Sequence, residues 1–580
     1  MDLTRNYVNN FSMLQNIKSR LAQKISSHVG IPSETLESLL EIPKIYDHGH
    51  LAFPVFMLAK ERKMAPPQVA LELAERLQSE ALPELAKVQA AGGFLNFTFT
   101  ADYLQSEIFG DLASKGDQLG FSKTGQGKTI VVDFSSPNVA KPMHVGHLRA
   151  TVIGQAVYNL AKSQGYNVVG VNHIGDWGSQ FGRLAWAYLE WGKEYDFSEK
   201  PIDSWLKLYV RFHDELEKNP ALETEGAKTF KKLEGGDPEI KAIWQRIIND
   251  SFKEYDRLYA LMGVKHDVVL GESFYNDKLQ DVVDRLQTGG ILQESEGAQV
   301  VFFDEKDNMP PCLIKKSDGA SIYATRDLAA AIYRREKMNA DSILYVVAQD
   351  QSLHFKQVFK VLEKLNYSWA KDCHHVSFGL YRFKDGKMST RAGKIILFED
   401  VVGQAVQMVR KMIEEKNPDL ADKETVARQV AVGAVFFNDL VNDRVKNVDF
   451  DWDRILSMDG DSGPFVQYTV VRCRSILRKL GQQIPAKPTT TLSSEQEQKL
   501  IFCLLQFEQV LAVAYRQLKP NILAQYLLDV CSHFSQFYHH HRILGEAPDL
   551  ALSRAALVKA TESVLVQGLK VLNIEAPEAM

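Results

Sequence analysis

The 580 residues carry 45% hydrophobic, 24% charged and 10% aromatic side chains, enough apolar material for two to four packed domains. This composition excludes a disordered, collagenous or disulfide-built chain, and 68 basic against 73 acidic residues exclude a polycation. Any nucleic-acid partner would be held by local patches rather than by a global field. Cys312, Cys373, Cys473, Cys503 and Cys531 stand far apart with no C-x-x-C. No structural zinc site, no disulfide framework and a cytoplasmic setting are therefore expected. The opening MDLTRNYVNNFSMLQNIKSR lacks a secretory layout, and no eighteen-residue apolar run suggests a membrane span.

Residues 1–115 mix helical patterns with short strands. QVALELAERLQ (68–78) follows two prolines that suit a helix start, and GGFLNFTF (92–99) alternates as a strand does. The glycine-spaced SKTGQGK (122–128) leads into a second region, 116–455, where strand and helix patterns alternate. TIVVDF (129–134) is short, apolar and β-branched, as a buried parallel strand should be. LRATVIGQAVYNLAKS (148–163) gives an apolar helical face, Gly165 stops it, and NVVGVN (167–172) is the next strand. SILYVVA (342–348) predicts a further strand, followed by a helix from about His354 to Leu365.

The charged stretch at about 185–290, with WLKLYVRFHDELEK (205–218), reads as a helical insertion into that α/β region. From 456 to 580 the strand signal vanishes. QYTVVRCRSILRKL, EQKLIFCLLQFEQVLAVAYRQL and ILAQYLLDVCSHFSQFYHHH each predict one long helix. The adjacent His539, His540 and His541 point in different helical directions and predict no metal site.

Two segments carry chemistry. SSPNVAKPMHVGHL (135–148) joins the first parallel strand to its helix, where open α/β sheets bind ligands. His144 and His147 fall three apart at a helix N-terminus, whose dipole attracts phosphate, and Gly146 leaves room for a flat ring to approach. Imidazoles that donate there would stabilise charge on an α-phosphate. Chance alone supplies H-x-G-H about 0.02 times in a chain of this composition. The second segment, DGKMSTRAGK (385–394), sets Lys387, Arg391 and Lys394 among small residues, with Ser389 and Thr390 as hydroxyl donors, a pattern that suits a phosphate clamp.

HVGH with KMST resembles the paired H-I-G-H and K-M-S-K-S motifs of class I aminoacyl-tRNA synthetases. The longer words DFSSPNVAKPMHVGHLRATVIG, NHIGDWGSQFG, YATRDLAAA, SFGLYRFKDGKMSTRAGK and GPFVQYTVVRCRSILRK are similar to those of arginyl-tRNA synthetases, over nearly the whole chain. The resemblance implies an α/β fold: a Rossmann-type parallel-sheet catalytic domain (116–455) with an insertion. An α+β N-terminal domain (1–115) would hold the tRNA elbow, and an all-α C-terminal bundle (456–580) the anticodon. It implies activation of L-arginine with ATP and Mg²⁺, then transfer to the terminal adenosine of tRNA(Arg). Bound tRNA would be required for the first step, and the chain would be a monomer.

The same resemblance implies the site residues. His144, His147, Lys141 and Lys387 would be catalytic, and Gly146, Met388 and Ser389 would join them around ATP. Asp133, Tyr323 and Asp327 match the readers of the arginine side chain, which suits a planar, always-charged guanidinium. Asn138 and Gln351 match contacts to the backbone end of arginine, with Ser136 also at that site. Read without the resemblance, the plain alternative for Asp327 is a helix N-cap before LAAAIY, and for Asp133 a buried acid in need of a partner. Phe94 and Asn96 match contacts to the tRNA elbow, and Phe465, Tyr468, Tyr538 and Met580 match contacts to the anticodon. Aromatic stacking on unpaired bases is the expected mode there, against a plain reading of core aromatics. Thr390 stands where the family motif has its second lysine, with Lys141 as the substitute charge, and the chain ends PEAM rather than P-E-R-M. A smaller-acceptor nucleotidyltransferase and a non-catalytic tRNA-binding paralogue are the competing readings.

Overall fold

The computed structural model describes residues 13–43, 45–78, 82–317, 323–383 and 396–580. Its centre is a five-stranded parallel sheet in the order Cys373–His375, Ser342–Tyr345, Thr129–Asp133, Asn167–Asn172, Val268–Val269. The first strand in sequence is thus central, and connections leave it in both directions. The carboxyl ends of Thr129–Asp133 and Ser342–Tyr345, paired as Asp133 with Tyr345, form the switch point where such sheets bind ligands. Ile130, Val131 and Val132 are almost wholly buried, because helices cover both faces of the strand.

The βαβ unit matches its sequence pattern closely. The strand Asn167–Asn172 has the predicted bounds, while the helix runs Val145–Ser163, three residues earlier than its apolar face indicated. The reason is the cap: His144 accepts the Gly146 N–H through its ring, so the helix begins before its first buried residue. The strand predicted over 342–348 stops at Tyr345: the Val346 N–H to Asp133 O bond is the last of the ladder, and Ala348 makes only an isolated bridge to Phe378.

Between Asn172 and Val268 lies the helical insertion, with helices Pro201–Lys218, Leu222–Glu234 and Pro238–Met262 packed around Trp205, Leu208 and Phe212. An antiparallel three-stranded sheet over Gln293–Lys315 follows it. The N-terminal region pairs Leu51–Pro54, Phe94–Phe99 and Leu85–Ala91 as an antiparallel sheet beside Pro66–Gln78. Its Ala101–Lys115 helix docks on the C-terminal bundle through Lys115–Glu508 at 2.9 Å and Gln105–Thr490 O at 3.2 Å.

In that bundle one expectation needs correction. The segment read as a single helix over 497–518 is two, Glu495–Leu505 and Phe507–Arg516. Gln506 N–H turns to Cys503 O, a tighter pairing than the α-helical one, so the chain swings there and buries Phe507. The Gly463–Leu480 and Pro520–His540 helices are continuous as read. Among the described residues no helix is long and apolar enough to cross a membrane.

Gly154 tests how tightly the central layer is packed. A Cβ there would lie 2.3 Å from Cβ of Phe134. Alanine is the better helix former by about 1 kcal/mol, yet the overlap costs about 1–3 kcal/mol. Gly154→Ala is therefore expected to lower the denaturant midpoint, and an unchanged or raised midpoint would refute the packing argument.

Candidate active site

The loop after Thr129–Asp133 is locked in a strained path. Ser135, Ser136 and Ala140 all hold positive φ, at 74°, 48° and 68°, a conformation that non-glycine residues keep only where the surroundings enforce it. The enforcement is visible. Ser135 Oγ accepts from Thr151 at 2.7 Å and lies 2.8 Å from the Tyr259 hydroxyl, which itself accepts from Asn172 Nδ2 at 3.1 Å. Ser136 N donates to Asn172 Oδ1, and Ala140 N donates to Ser251 Oγ. Tyr255 donates to both Asn138 O and Lys141 O. The insertion, through Ser251, Tyr255 and Tyr259, thus holds the loop from outside.

The loop ends on the two imidazoles, whose ring centroids lie 3.9 Å apart. His147 Nδ1 accepts the His144 backbone N–H at 3.2 Å, and His144 Nδ1 accepts the Gly146 N–H at 3.1 Å. Each ring therefore spends Nδ1 as an acceptor, which places its proton on Nε2. Burial, then His144 and Lys141, push the pKa of His147 down to about 3, and burial with Lys141 lowers that of His144. Both act at neutral pH as uncharged donors at a helix N-terminus. Lys141 is exposed, with its ammonium 4.9 Å from the ring centre of Tyr209 on the insertion. Gly146 has a second role beside the one read from sequence: a Cβ there would meet His144 Cε1 at 2.9 Å, so glycine makes space for the capping ring.

Asp133 is only 6% exposed, and its Oδ2 lies 2.7 Å from Arg334 while Oδ1 accepts from Ser136 Oγ at 3.0 Å. The partner that a buried strand-end acid demands is thus the chain's own guanidinium. Asp327 stands on the first turns of Tyr323–Glu336, 2.5 Å from His354 Nε2, and Tyr323 at the start of that helix is 67% exposed. Asn138 and Gln351 are both exposed, on the locked loop and after Ser342–Tyr345.

A third carboxylate escaped the sequence reading. Glu272 is half-buried, with Oε2 shielded from solvent and unpartnered. Burial, against the pull of Arg326 and with the push of Asp327 and Asp176, raises its pKa to about 7. It follows the two-residue strand Val268–Val269, too short to show any periodicity. Lys387, Met388, Ser389, Thr390, Arg391 and Lys394 lie outside the described residues. Among the described residues no group of three or more His, Cys, Asp or Glu side chains is placed to hold a metal ion.

On the C-terminal bundle, Tyr468 and Tyr538 are exposed on neighbouring helices. Arg472 lies 4.8 Å and 5.6 Å from their ring centres, a residue that only its place one turn after Tyr468 could have indicated. Phe465 packs partly into the core, and Met580 O accepts from Asn417 at 3.2 Å. In the N-terminal sheet Phe94 meets the half-exposed Phe56 edge-on at 5.3 Å. Asn96 is 2% exposed.

These regions match three family models: "tRNA synthetases class I (R), catalytic domain" over residues 110–452, "DALR anticodon binding domain" over 466–580, and "Arginyl tRNA synthetase N terminal domain" over 15–99. The arginine–tRNA ligase of Clostridium perfringens is 46% identical over 97% of this chain and 100% of its own length. The chain belongs to the arginyl-tRNA synthetase family. The Exiguobacterium sp. arginine–tRNA ligase is likewise 46% identical, over 97% of this chain and 99% of its own. The structure of Thermus thermophilus arginyl-tRNA synthetase superposes with a TM-score of 0.83 at 26% identity, covering 98% of this chain and 100% of that one. That of Plasmodium falciparum, at 23% identity and a TM-score of 0.82, shares the fold over 99% of this chain and 100% of its own. As a class I synthetase the chain takes ATP as a substrate.

Gly146→Ala probes the capping geometry. The added methyl displaces the His144 ring, so the family's adenylation step is expected to slow about 10- to 100-fold with an unchanged circular dichroism spectrum. A rate within twofold of the parent would show that His144 is not used where the cap holds it.

Proposed function

We propose that the chain is an arginine–tRNA ligase whose first step runs on the locked loop. A carboxylate oxygen of L-arginine attacks the α-phosphorus of ATP, the bond to the bridging oxygen breaks, and diphosphate leaves. The 3′-terminal adenosine hydroxyl of tRNA(Arg) then attacks the arginyl carbonyl, its proton is lost, and AMP leaves. No side-chain nucleophile takes part. Positioning and charge stabilisation do the work. The observation that carries this reading is the pair of uncharged imidazoles at the switch point of the sheet, each with Nδ1 held by a backbone N–H and its proton therefore on Nε2.

His144 and His147 donate to the α-phosphate, and Lys141 and Lys387 supply cationic charge to the leaving phosphates. Mg²⁺ enters with ATP as its phosphate complex. Gly146, Met388 and Ser389 line the nucleotide. For arginine, the exposed Tyr323 and the carboxylates of Asp327 and Glu272 receive the guanidinium, while Asp133, neutralised by Arg334, orients Ser136 at the backbone end beside Asn138 and Gln351. The tRNA lies across Phe94 and its neighbour Phe56 at one end and Tyr468, Tyr538 and Arg472 at the other, with Phe465 and Met580 behind them. The buried Asn96 supports the strand that presents Phe94. The enzyme works as a cytoplasmic monomer.

The deciding experiment is ATP–diphosphate exchange across all twenty amino acids, with and without tRNA. Exchange is expected with arginine alone and only when tRNA is present. Equal rates without tRNA would end the claim of coupling, and exchange with another amino acid would overturn the roles of Asp327 and Glu272.

Glu272 gives arginine binding a pH dependence of known sign. Its pKa, raised to about 7, leaves it protonated below neutrality and ionised above, and a guanidinium prefers the ionised form. KM for arginine is expected to fall as pH rises through 7, and Glu272→Gln to raise it about tenfold or more and flatten the profile. A wild-type profile without this inflection would exclude Glu272 from the binding site.

A further inference from the structure

In the helix that carries the imidazoles begins a charged network that the chemistry above leaves unused. Asp439, near the end of the Lys423–Leu440 helix, is 1% exposed. Its Oδ1 accepts Nε of Arg149 at 3.1 Å, and its Oδ2 accepts the Tyr381 hydroxyl at 2.6 Å. Arg149, also 1% exposed, stands two residues after His147 in the same helix. Its Nη2 donates to Arg444 O at 3.2 Å, and its guanidinium lies 5.5 Å from the ring centre of Tyr381.

Arg444 continues the connection. Its Nη1 donates to Ser377 O at 2.5 Å and its Nε to Leu518 O at 2.8 Å, while the neighbouring Asp443 pairs with Lys519 at 2.7 Å. Leu518 and Lys519 form the turn between the Phe507–Arg516 and Pro520–His540 helices of the C-terminal bundle. Tyr381 opens the strand Tyr381–Phe383, which pairs with Val448–Phe450 on the same side. One carboxylate therefore grips the helix of His144 and His147 and a strand of the catalytic region, at the corner where the bundle is bolted on.

Such a triad is an uneconomical way to fill a core. Apolar side chains of similar volume often stabilise a fold as well or better, because two charges need not be stripped of water. What the fork of Arg149 and the short phenol bond add is direction: they fix how far each element can slide or turn. We propose that Arg149, Asp439 and Tyr381 form a positioning element for the reaction, which sets the register of the Val145–Ser163 helix against the C-terminal bundle so that tRNA held on the bundle meets correctly placed imidazoles. Asp439 touches no substrate in this role. The inference rests on the ligase reading above.

Tyr381→Phe keeps the ring and its packing and removes one donor, whereas Asp439→Asn keeps the shape and removes the charge. Each is compared with the parent for arginine-dependent exchange at saturating tRNA, KM for arginine, tRNA affinity by filter binding, and denaturant midpoint. A lost register predicts kcat lower by about 10- to 100-fold, with KM and tRNA affinity within twofold and the protein folded at the assay temperature. The bound tRNA would then be present but unproductive. If only the midpoint falls and kcat per folded molecule is unchanged, the triad merely holds the core and the proposal fails. A parallel loss of tRNA affinity and arginine KM would equally overturn it. Should Asp439→Asn not fold, Tyr381→Phe carries the test, since it leaves the Arg149–Asp439 pair in place. A parent enzyme without arginine-dependent exchange would overturn the ligase reading, and the triad's role with it, which the variants alone could not do.

Discussion

The pair between Asp133 and Arg334 sits where the central strand runs out of ladder partners, with Arg334 fully buried and Asp133 nearly so. Removing either member would leave a charge in the protein interior without compensation, a loss of about 3–5 kcal/mol. The pair also does geometric work. Asp133 holds Ser136 at 3.0 Å, Ser136 lies in the left-handed region, and the chain can then turn through Asn138 and Ala140 to deliver His144 to the helix start. A loop of ordinary conformation would leave the sheet along another path. The unfavourable backbone angles at Ser135, Ser136 and Ala140 are retained because side chains from three other segments oblige them: Thr151, the Asn172 amide, and Ser251 with Tyr259.

The charge pattern of the site follows from that burial. Imidazoles set in a desolvated corner beside Lys141 do not take up a second proton, so they present fixed dipoles instead of cations. Fixed dipoles need no rearrangement as negative charge grows on a phosphate, which is the condition for stabilising it effectively. Burial acts in the other direction on Glu272, whose carboxyl it pushes up to about 7.

Much of this was legible in the sequence, for identifiable reasons. Thr129–Asp133 and Asn167–Asn172 are uninterrupted apolar runs bounded by turn residues, and only strands covered on both faces read that way. The spacing of His144 and His147 placed them at a helix start, and the cap confirms that place. Information carried by distant pairs was not readable. Nothing local to Asp133 names Arg334, 201 positions later, and nothing near Glu272 marks it as a site residue. The break at Gln506 was equally invisible, since both flanking segments keep a helical apolar period. The two aromatic platforms lie between these cases: their rings could be listed from sequence, but the exposure of Tyr468 and Tyr538 could not.

The place of the insertion has a consequence for how the chain is made. Ser342 pairs with Ile130, a separation of 212 residues, so the central strand lacks its neighbour on one side until the ribosome has produced the whole insertion and the small antiparallel sheet. At about 5–20 residues per second that interval is roughly 10–40 s, long compared with the collapse of a helical unit. During it, an apolar strand edge carrying Ile130, Val131 and Val132 stands open in the nascent protein. The insertion helices can fold locally in that time and hold the first loop through Tyr255 and Tyr259, shielding one end of the unfinished sheet until its other half emerges.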